Sequence, residues 1–249
     1  MYKTATVISF SPTGNSLKSA VAMAEVIGET VEIVDITADV SPEGWKFGPE
    51  DFVIFSAPVY AGRIPKVARE RLLCWKGENT PCIAVASFGN RDFDDALLEI
   101  ADLAAEQGFV VKGGAAVVGR HTYGEIQVDR PNEEDLAECR AFAQKVLIQP
   151  ENVVVSIPGN RPYKDGGNGG RFRPLTTEAC VGCGVCETNC PVQAIAGDCV
   201  SVSDQCISCF RCIRNCPVGA KHMDVPAYRE FAAMFTERLK ERKENQYFL

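Results

Sequence analysis

Cys180-Val-Gly-Cys-Gly-Val-Cys-Glu-Thr-Asn-Cys-Pro191 is followed, after a short spacer, by Cys206-Ile-Ser-Cys-Phe-Arg-Cys-Ile-Arg-Asn-Cys-Pro217. All four cysteines and the closing proline of the first stretch recur 26 positions later, so the region is an internal duplication. In each copy three thiolates at i, i+3 and i+6 share a tight loop and converge on one small inorganic centre, while the fourth, just before the proline, is aimed away from it. Structural zinc prefers tetrahedral sites assembled from two separate C-x2-C knuckles. Three cysteines crowded into one loop, with a C-P after each set, favour iron and sulfide instead.

Over residues 175–223 the stretch resembles the two-cluster bacterial ferredoxins, small α+β domains. The resemblance implies two [4Fe-4S] clusters with crossed ligation: Cys180, Cys183, Cys186 and Cys216 on one, and Cys206, Cys209, Cys212 and Cys190 on the other. Crossing would tie the two halves together and bring the clusters close. Of the remaining cysteines, Cys74, Cys82 and Cys139 read as buried free thiols. Cys199 reads as the filling of a small hairpin core and is assigned to neither cluster.

Disulfides would need an oxidising compartment. The N-terminus, Met1-Tyr-Lys-Thr-Ala-Thr-Val-Ile-Ser-Phe, is too short and too polar for the apolar region of a secretory signal. No run approaches the 18 apolar residues of a membrane span. These features predict a cytoplasmic protein that uses no membrane. The chain of 249 residues, 46% hydrophobic and 24% charged, has room for one ordinary domain and a smaller one. Residues 1–150 hold 14 basic and 22 acidic side chains, and the remainder 12 and 11. An acidic first part argues against nucleic acid and suits docking to a basic patch on a redox partner, although a solubilising surface accounts for it equally well.

Along the chain, residues 3–10 form a β-branched apolar run that passes through S-P-T-G-N-S into a helical pattern at Leu17, Ala20, Val21, Ala24 and Ile27. Strands are expected at 31–36, 52–58, 82–88 and 109–118, and helices at about 64–75, 93–107 and 133–147. Strands alternating with helices predict an α/β fold: a doubly wound, five-stranded parallel sheet covered on both faces. In such sheets ligands bind beyond the strand C-termini, at the topological switch point. Three strand exits are therefore informative.

The first exit supplies Ser11, Thr13, Gly14, Asn15 and Ser16 ahead of a helix N-terminus, with no Lys or Arg. Backbone N–H groups and the helix dipole make it an anion site without a countercharge, and Gly14 lets the backbone curl. It is neither a Walker A loop nor a G-x-G-x-x-G fingerprint; a plain helix cap is the alternative. The loop resembles the [ST]-x-T-G-x-[ST] phosphate loop of flavodoxins, which bind FMN at this switch point. The second exit, Ala57-Pro-Val-Tyr-Ala-Gly-Arg-Ile-Pro65, resembles the ring-contacting loop of flavodoxin-like proteins and contributes Pro58, Val59, Tyr60 and Gly62. The third, Ser87-Phe-Gly-Asn-Arg-Asp-Phe-Asp-Asp95, resembles the loop on the other side of the flavin and contributes Ser87, Phe88, Gly89, Asn90 and Asp92.

Tyr60 is the candidate to lie against the isoalloxazine, the alternative being a tyrosine packed into the sheet edge. Asn90 stands where the family often has a bulky aromatic, which would leave the outer face of the ring open to small molecules. His121 and Tyr123, after the last strand, read as a satisfied surface pair, the alternative being residues that border the pocket, and His222 reads as structural. Residues 151–174, rich in Pro and Gly, read as a solvated tether. In the C-terminal part, 224–249, Tyr228, Phe231, Phe235 and Leu239 form an apolar helical stripe that packs the ferredoxin-like part onto the first domain or binds a partner.

Together the two parts resemble the flavodoxin-ferredoxin fusion proteins of anaerobes. The resemblance implies an electron carrier that passes electrons between two [4Fe-4S] clusters and FMN, and on to a redox protein partner. The alternatives are a flavin-dependent reductase of a small-molecule acceptor, such as a quinone or another electrophile, and an FMN-free scaffold. Enzymatic turnover and oligomeric state, a homodimer included, stay open.

Overall fold

The computed structural model describes residues 1–38, 45–150, 153–167 and 169–249. The unbroken apolar runs become strands buried on both faces. In chain order the elements of the first part are β1 (Tyr2–Ser9), α1 (Asn15–Ile27), β2 (Gly28–Asp35), β3 (Lys46–Phe47), β4 (Phe52–Pro58), α2 (Lys66–Leu72), β5 (Lys76–Gly77), β6 (Thr80–Phe88), α3 (Ala96–Glu106), β7 (Phe109–Val118) and α4 (Glu133–Ile148). β2, β1, β4, β6 and β7 lie side by side in parallel. Counted in sequence, these five run 2-1-3-4-5, the flavodoxin-like order, whose switch point lies between the first and third.

Both faces of the sheet are covered, which is why β6 is buried along its whole length. On one face Ala20, Met23 and Ile27 of α1 and Phe142 and Val146 of α4 pack on Val7, Ile54 and Val85. On the other, Leu72 of α2 and Leu97 and Ile100 of α3 pack on Ile8, Phe55 and Ala84. β3 and β5 form a separate parallel pair beside the main sheet.

The second part adds β8 (Leu175–Thr176), α5 (Val185–Thr188), α6 (Arg211–Arg214), β9 (Lys221–His222), α7 (Pro226–Arg238) and β10 (Gln246–Phe248). The duplication reaches into the backbone. Gly182 and Ser208, Gly184 and Phe210, and Gln193 and Gly219, each pair 26 residues apart, all have positive φ. Ala194 N and Ala220 N likewise donate to Cys190 Sγ and Cys216 Sγ, both at 3.2 Å.

Two expectations are corrected. The stretch 224–249 is not helical throughout: α7 ends at Arg238, and the chain returns as β10, an antiparallel sixth strand on β7. Short strands that cover a sheet edge remove a row of unpaired backbone groups. The glycine-rich stretch before the cysteines is strapped to the first part rather than solvated. Asn160 N and Lys164 N each donate to the Asp95 carboxylate at 2.8 Å, Arg161 pairs with Asp102, and Ile157 packs on the core. Composition registers the lack of helix or strand there, but not that Asp95, just before α3, receives its backbone and Asp102, on α3, its side chains.

Candidate functional site

Gly14, at φ 88°, ends the loop after β1 and opens α1 from a left-handed conformation that suits glycine. Ser11 Oγ accepts from Leu17 N at 3.1 Å and Ser11 O accepts from Gly14 N, so part of the loop caps the helix as the plain alternative has it. The backbone N–H groups of Thr13, Asn15 and Ser16 make no hydrogen bond among the described residues. These residues, with Ser11, line one cavity of about 860 Å³, counting its open mouth. Free donors at a helix N-terminus fit a phosphate.

The same cavity runs to Pro58, Val59 and Tyr60 from the second exit and to Ser87, Phe88 and Gly89 from the third. Tyr60 and Arg63 exchange backbone hydrogen bonds across Ala61 and Gly62, both at positive φ, as a two-residue turn of the I′ kind requires. The buried Glu99 carboxylate holds that turn, accepting from Arg63 Nε and Nη2 at 2.7 Å and from Ile64 N at 3.1 Å. Tyr60 thus belongs to the cavity wall. Burial raises its phenol well above the ordinary range, so it stays protonated at neutral pH.

Gly14, Gly62, Asn90 and Asp92 do not line the cavity. Gly14 and Gly62 shape the turns that do. Asp92 accepts from Asp94 N at 3.0 Å. Asn90, only 1% exposed, faces the other way: it donates to Leu239 O and Glu241 O at 2.8 and 2.7 Å and accepts from Lys243 N at 2.9 Å. Asn90 is therefore no part of the cavity wall from which that openness was expected. An asparagine with three backbone partners clamps the C-terminal tail.

That side of the cavity is lined by the loop after β7 and by the second part. His121 and Tyr123 line it and are not a surface pair, and Gly169, Gly170, Ile207 and Ser208 reach over from the second part. Tyr123 sits in an aromatic cluster with Phe172, Phe210, Tyr228 and Phe231, at ring separations of 5.6–6.1 Å. The stripe on α7 therefore joins the two parts, at about 0.5–1.5 kcal/mol per aromatic pair beyond area burial. Gly124 N and Glu125 N donate to Tyr228 Oη and Thr236 Oγ1, which fixes the 121–126 loop.

His121 accepts from Tyr123 N at its Nδ1 (2.8 Å) and lies so close to Gly89 that a Cβ there would stand 2.2 Å from the ring. Burial, as the main cause, lowers its pKa to about 4, so the ring is neutral at pH 7. A depressed histidine pKa means that the unfolded chain binds the proton more readily. Stability from this site is complete above about pH 6.5 and is lost as pH falls towards 4, by at most about 3 kcal/mol. Urea denaturation at pH 7.5 and pH 5 should show this loss in the natural chain and a smaller one in His121→Asn.

The loop after β1 itself lacks cations, but the fold brings them beside it. An adjoining cavity shares Thr13, Asn15 and Arg120 with the first and adds Lys18 and Arg214. The expectation of an anion site without a countercharge is corrected, since these cations come from α1, the loop after β7 and α6.

The eight duplicated cysteines fall into two groups. Cys190, Cys206, Cys209 and Cys212 line one small cavity, and Cys180, Cys183, Cys186 and Cys216 line another. Four thiols around each cavity fit the crossed sets. Among the described residues no three ligating side chains meet closely enough to hold a single metal ion. Cys199 also lines the second of these cavities, buried against Cys186 and Ile195. Arg71 links this part to the sheet, donating to Ile36 O at 2.8 Å and to Pro191 O at 2.7 Å. Ile207 and Ser208 line both the first cysteine cavity and the large cavity, so one layer of residues separates them. Ser208 and Phe210 hold the left-handed positions that the first copy gives to glycine, at a cost of about 1–2 kcal/mol each. Their side chains build this wall and the aromatic cluster.

Residues 174–196 match the family described as 4Fe-4S binding domain. No curated protein sequence matches the chain. Among solved structures, the flavodoxin of Streptococcus pneumonia TIGR4 is 17% identical, with 58% of this chain and 97% of that one covered and a TM-score of 0.41. A flavodoxin from the domain Archaea is 20% identical, with 58% and 99% covered and a TM-score of 0.39. Flavodoxin 2 from Bacillus cereus is 15% identical, with 58% and 97% covered and a TM-score of 0.40. The strand order and the cysteine motif define the class: a flavodoxin-like α/β fold joined to a 4Fe-4S ferredoxin-like segment, with a redox or electron-transfer role. Among the described residues no helix is long and apolar enough to cross a membrane.

Proposed function

We propose that the chain is an electron-transfer protein in which two [4Fe-4S] clusters, held by the two cysteine sets, exchange electrons with an FMN seated in the large cavity, and through these with a redox partner. The observation that carries this reading is the shared wall: Ile207 and Ser208 line both the flavin cavity and the cavity of Cys190, Cys206, Cys209 and Cys212. When bound, FMN exchanges electrons singly or in pairs and each cluster one at a time.

The protein's share is placement and exclusion. Thr13, Asn15 and Ser16 offer backbone N–H donors to the phosphate, Thr13 and Ser16 add their hydroxyls, and Arg120 and Lys18 are near. Tyr60 and Tyr123 wall the ring end. Ile207 excludes water between the sites. Arg71 and Arg211, which reaches Ser11 O and Pro12 O at 3.4 Å, fix the ferredoxin-like part against the phosphate loop. The alternative of a reductase for a small electrophile rested on an exposed ring face. With Asn90 turned away and residues 169–170 and 207–208 over that side, transfer to and from the clusters is favoured.

Thr13→Ala with Ser16→Ala tests the reading. Anaerobically prepared double variant should retain its iron and sulfide but bind FMN about tenfold or more weakly, the loss of two hydrogen bonds to a charged group. It should also lose reoxidation of the reduced clusters by the flavin in stopped flow. Unchanged FMN affinity would place the phosphate elsewhere.

A further inference from the structure

Lys221 carries a buried ammonium that makes no hydrogen bond among the described residues. It lies on β9, opposite Thr176 of β8, and is 3% exposed. Isolated buried ammonium groups are among the costliest a fold can hold, and they persist where an anion compensates them. Lys221 lines the cavity of Cys180, Cys183, Cys186 and Cys216, so the anion that fits is the thiolate-bound cluster itself.

The duplication supplies an internal control. At the matching position, 26 residues earlier, stands Ile195, 5% exposed, which lines the cavity of Cys190, Cys206, Cys209 and Cys212. One cluster site therefore has an apolar side chain where its twin has a positive charge. The cavity with Ile195 shares a wall with the flavin cavity, whereas the cavity with Lys221 shares no lining residue with it.

We propose that Lys221 is the buried countercharge of the cluster held by Cys180, Cys183, Cys186 and Cys216 and raises its reduction potential above that of the twin cluster. This rests on the two-cluster reading above. Reduction of this cluster adds one electron and one negative charge, with no bond made or broken. The electron leaves the twin cluster, which is oxidised by one electron. A fixed positive charge in a low-dielectric interior favours the more negative state, and cluster potentials respond to charge and to hydrogen bonds at sulfur. Electrons shared by the two clusters therefore rest on the one remote from the flavin.

The test is an EPR-monitored redox titration of the full chain, prepared anaerobically, as natural protein, Lys221→Ile and Lys221→Arg. Isoleucine is the residue the other copy already carries at this position. The Cys190→Ser background, which removes the twin cluster, assigns the signals. Lys221→Ile should lower the midpoint of the Cys180 cluster by a tenfold change in its one-electron equilibrium, 59 mV, or more. The twin should move less, and Lys221→Arg should stay near the natural value. Unchanged midpoints in Lys221→Ile with both clusters present overturn the proposal. Loss of the Cys180 cluster from that variant overturns it too, because it makes Lys221 a retention residue rather than a tuning one. Iron and sulfide analysis of the natural chain comes first: fewer than two clusters there would fail the underlying reading, and the inference with it.

Discussion

Cys190→Ser should remove the cluster of Cys206, Cys209 and Cys212 while sparing the one whose cysteines surround Cys190 in sequence. Cys190 lies ten residues after Cys180 and belongs by position to the first copy, yet it lines the cavity of the second set. If ligation crosses, iron and acid-labile sulfide fall by about half, and the surviving signal belongs to the Cys180 set. If ligation follows sequence, the Cys180 cluster is lost instead. The functional consequence is sharper than the loss of iron. The missing cluster is the one behind Ile207 and Ser208, so flavin reduction through the remaining cluster should slow far more than half. Cys216→Ser, the mirror change, should remove the remote cluster and leave exchange between flavin and near cluster intact. Equal kinetic losses in the two variants would speak against the shared wall as the route.

Arg130→Met should be the most destabilising single change outside the cysteines. The Arg130 and Asp135 side chains are 1% and 2% exposed, and Arg130 Nε donates to both carboxylate oxygens at 3.0 and 2.9 Å. The same guanidinium donates to Lys243 O at 2.6 Å and to Asn245 Oδ1 at 3.1 Å. Asn245 in turn donates to Asp135 and accepts from Val118 N, which sets the register of β10 on β7. Asp135 also closes the capping box of α4 by accepting from Asn132 N at 2.9 Å. Removing the cation leaves a buried carboxylate unpaired, at a cost of about 3–5 kcal/mol, and frees the tail.

The pH dependence identifies the cause. Burial would raise the Asp135 carboxyl, but its hydrogen bonds, with Arg130 foremost, hold it below the usual range. In the natural chain this stability is present above the unfolded carboxylate pKa and is lost as pH falls through the folded value. Without Arg130 burial dominates and the folded pKa rises, so the variant should regain stability as pH is lowered from 7 towards 5. Arg130→Met with Asp135→Asn should recover much of the loss. Urea midpoints at the two pH values decide it, and a variant deficit that does not shrink with acid would point to lost packing rather than an uncompensated charge.

Much of the site was legible because its determinants are local. The cysteine spacing, the proline after each set and the 26-residue offset are properties of short segments, and so is the hydroxyl-rich loop between β1 and α1. Alternating strand and helix periods were sufficient for five parallel strands, and the central β4 and β6, buried on both faces, are nearly continuous apolar runs, whereas the edge strand β2 is largely exposed. Tyr60 lines the large cavity for a similarly local reason: it precedes a two-residue turn just beyond the end of β4.

What the amino-acid order determined by itself was the list of parts, with the three loops that line the large cavity and the cysteines that line the two small ones. Only the tertiary structure decided which parts meet. Asn90 turns towards a tail some 150 positions later. Gly169, Gly170, Ile207 and Ser208 cover a cavity built mainly from the first half, Arg120 and Arg214 arrive beside a loop that has no cation, and residues 246–248 complete the sheet. Each of these contacts joins segments distant in the chain through backbone carbonyls, carboxylates or apolar surface that any neighbour could have satisfied. Local propensity cannot choose among such partners; packing the whole chain into one interior does.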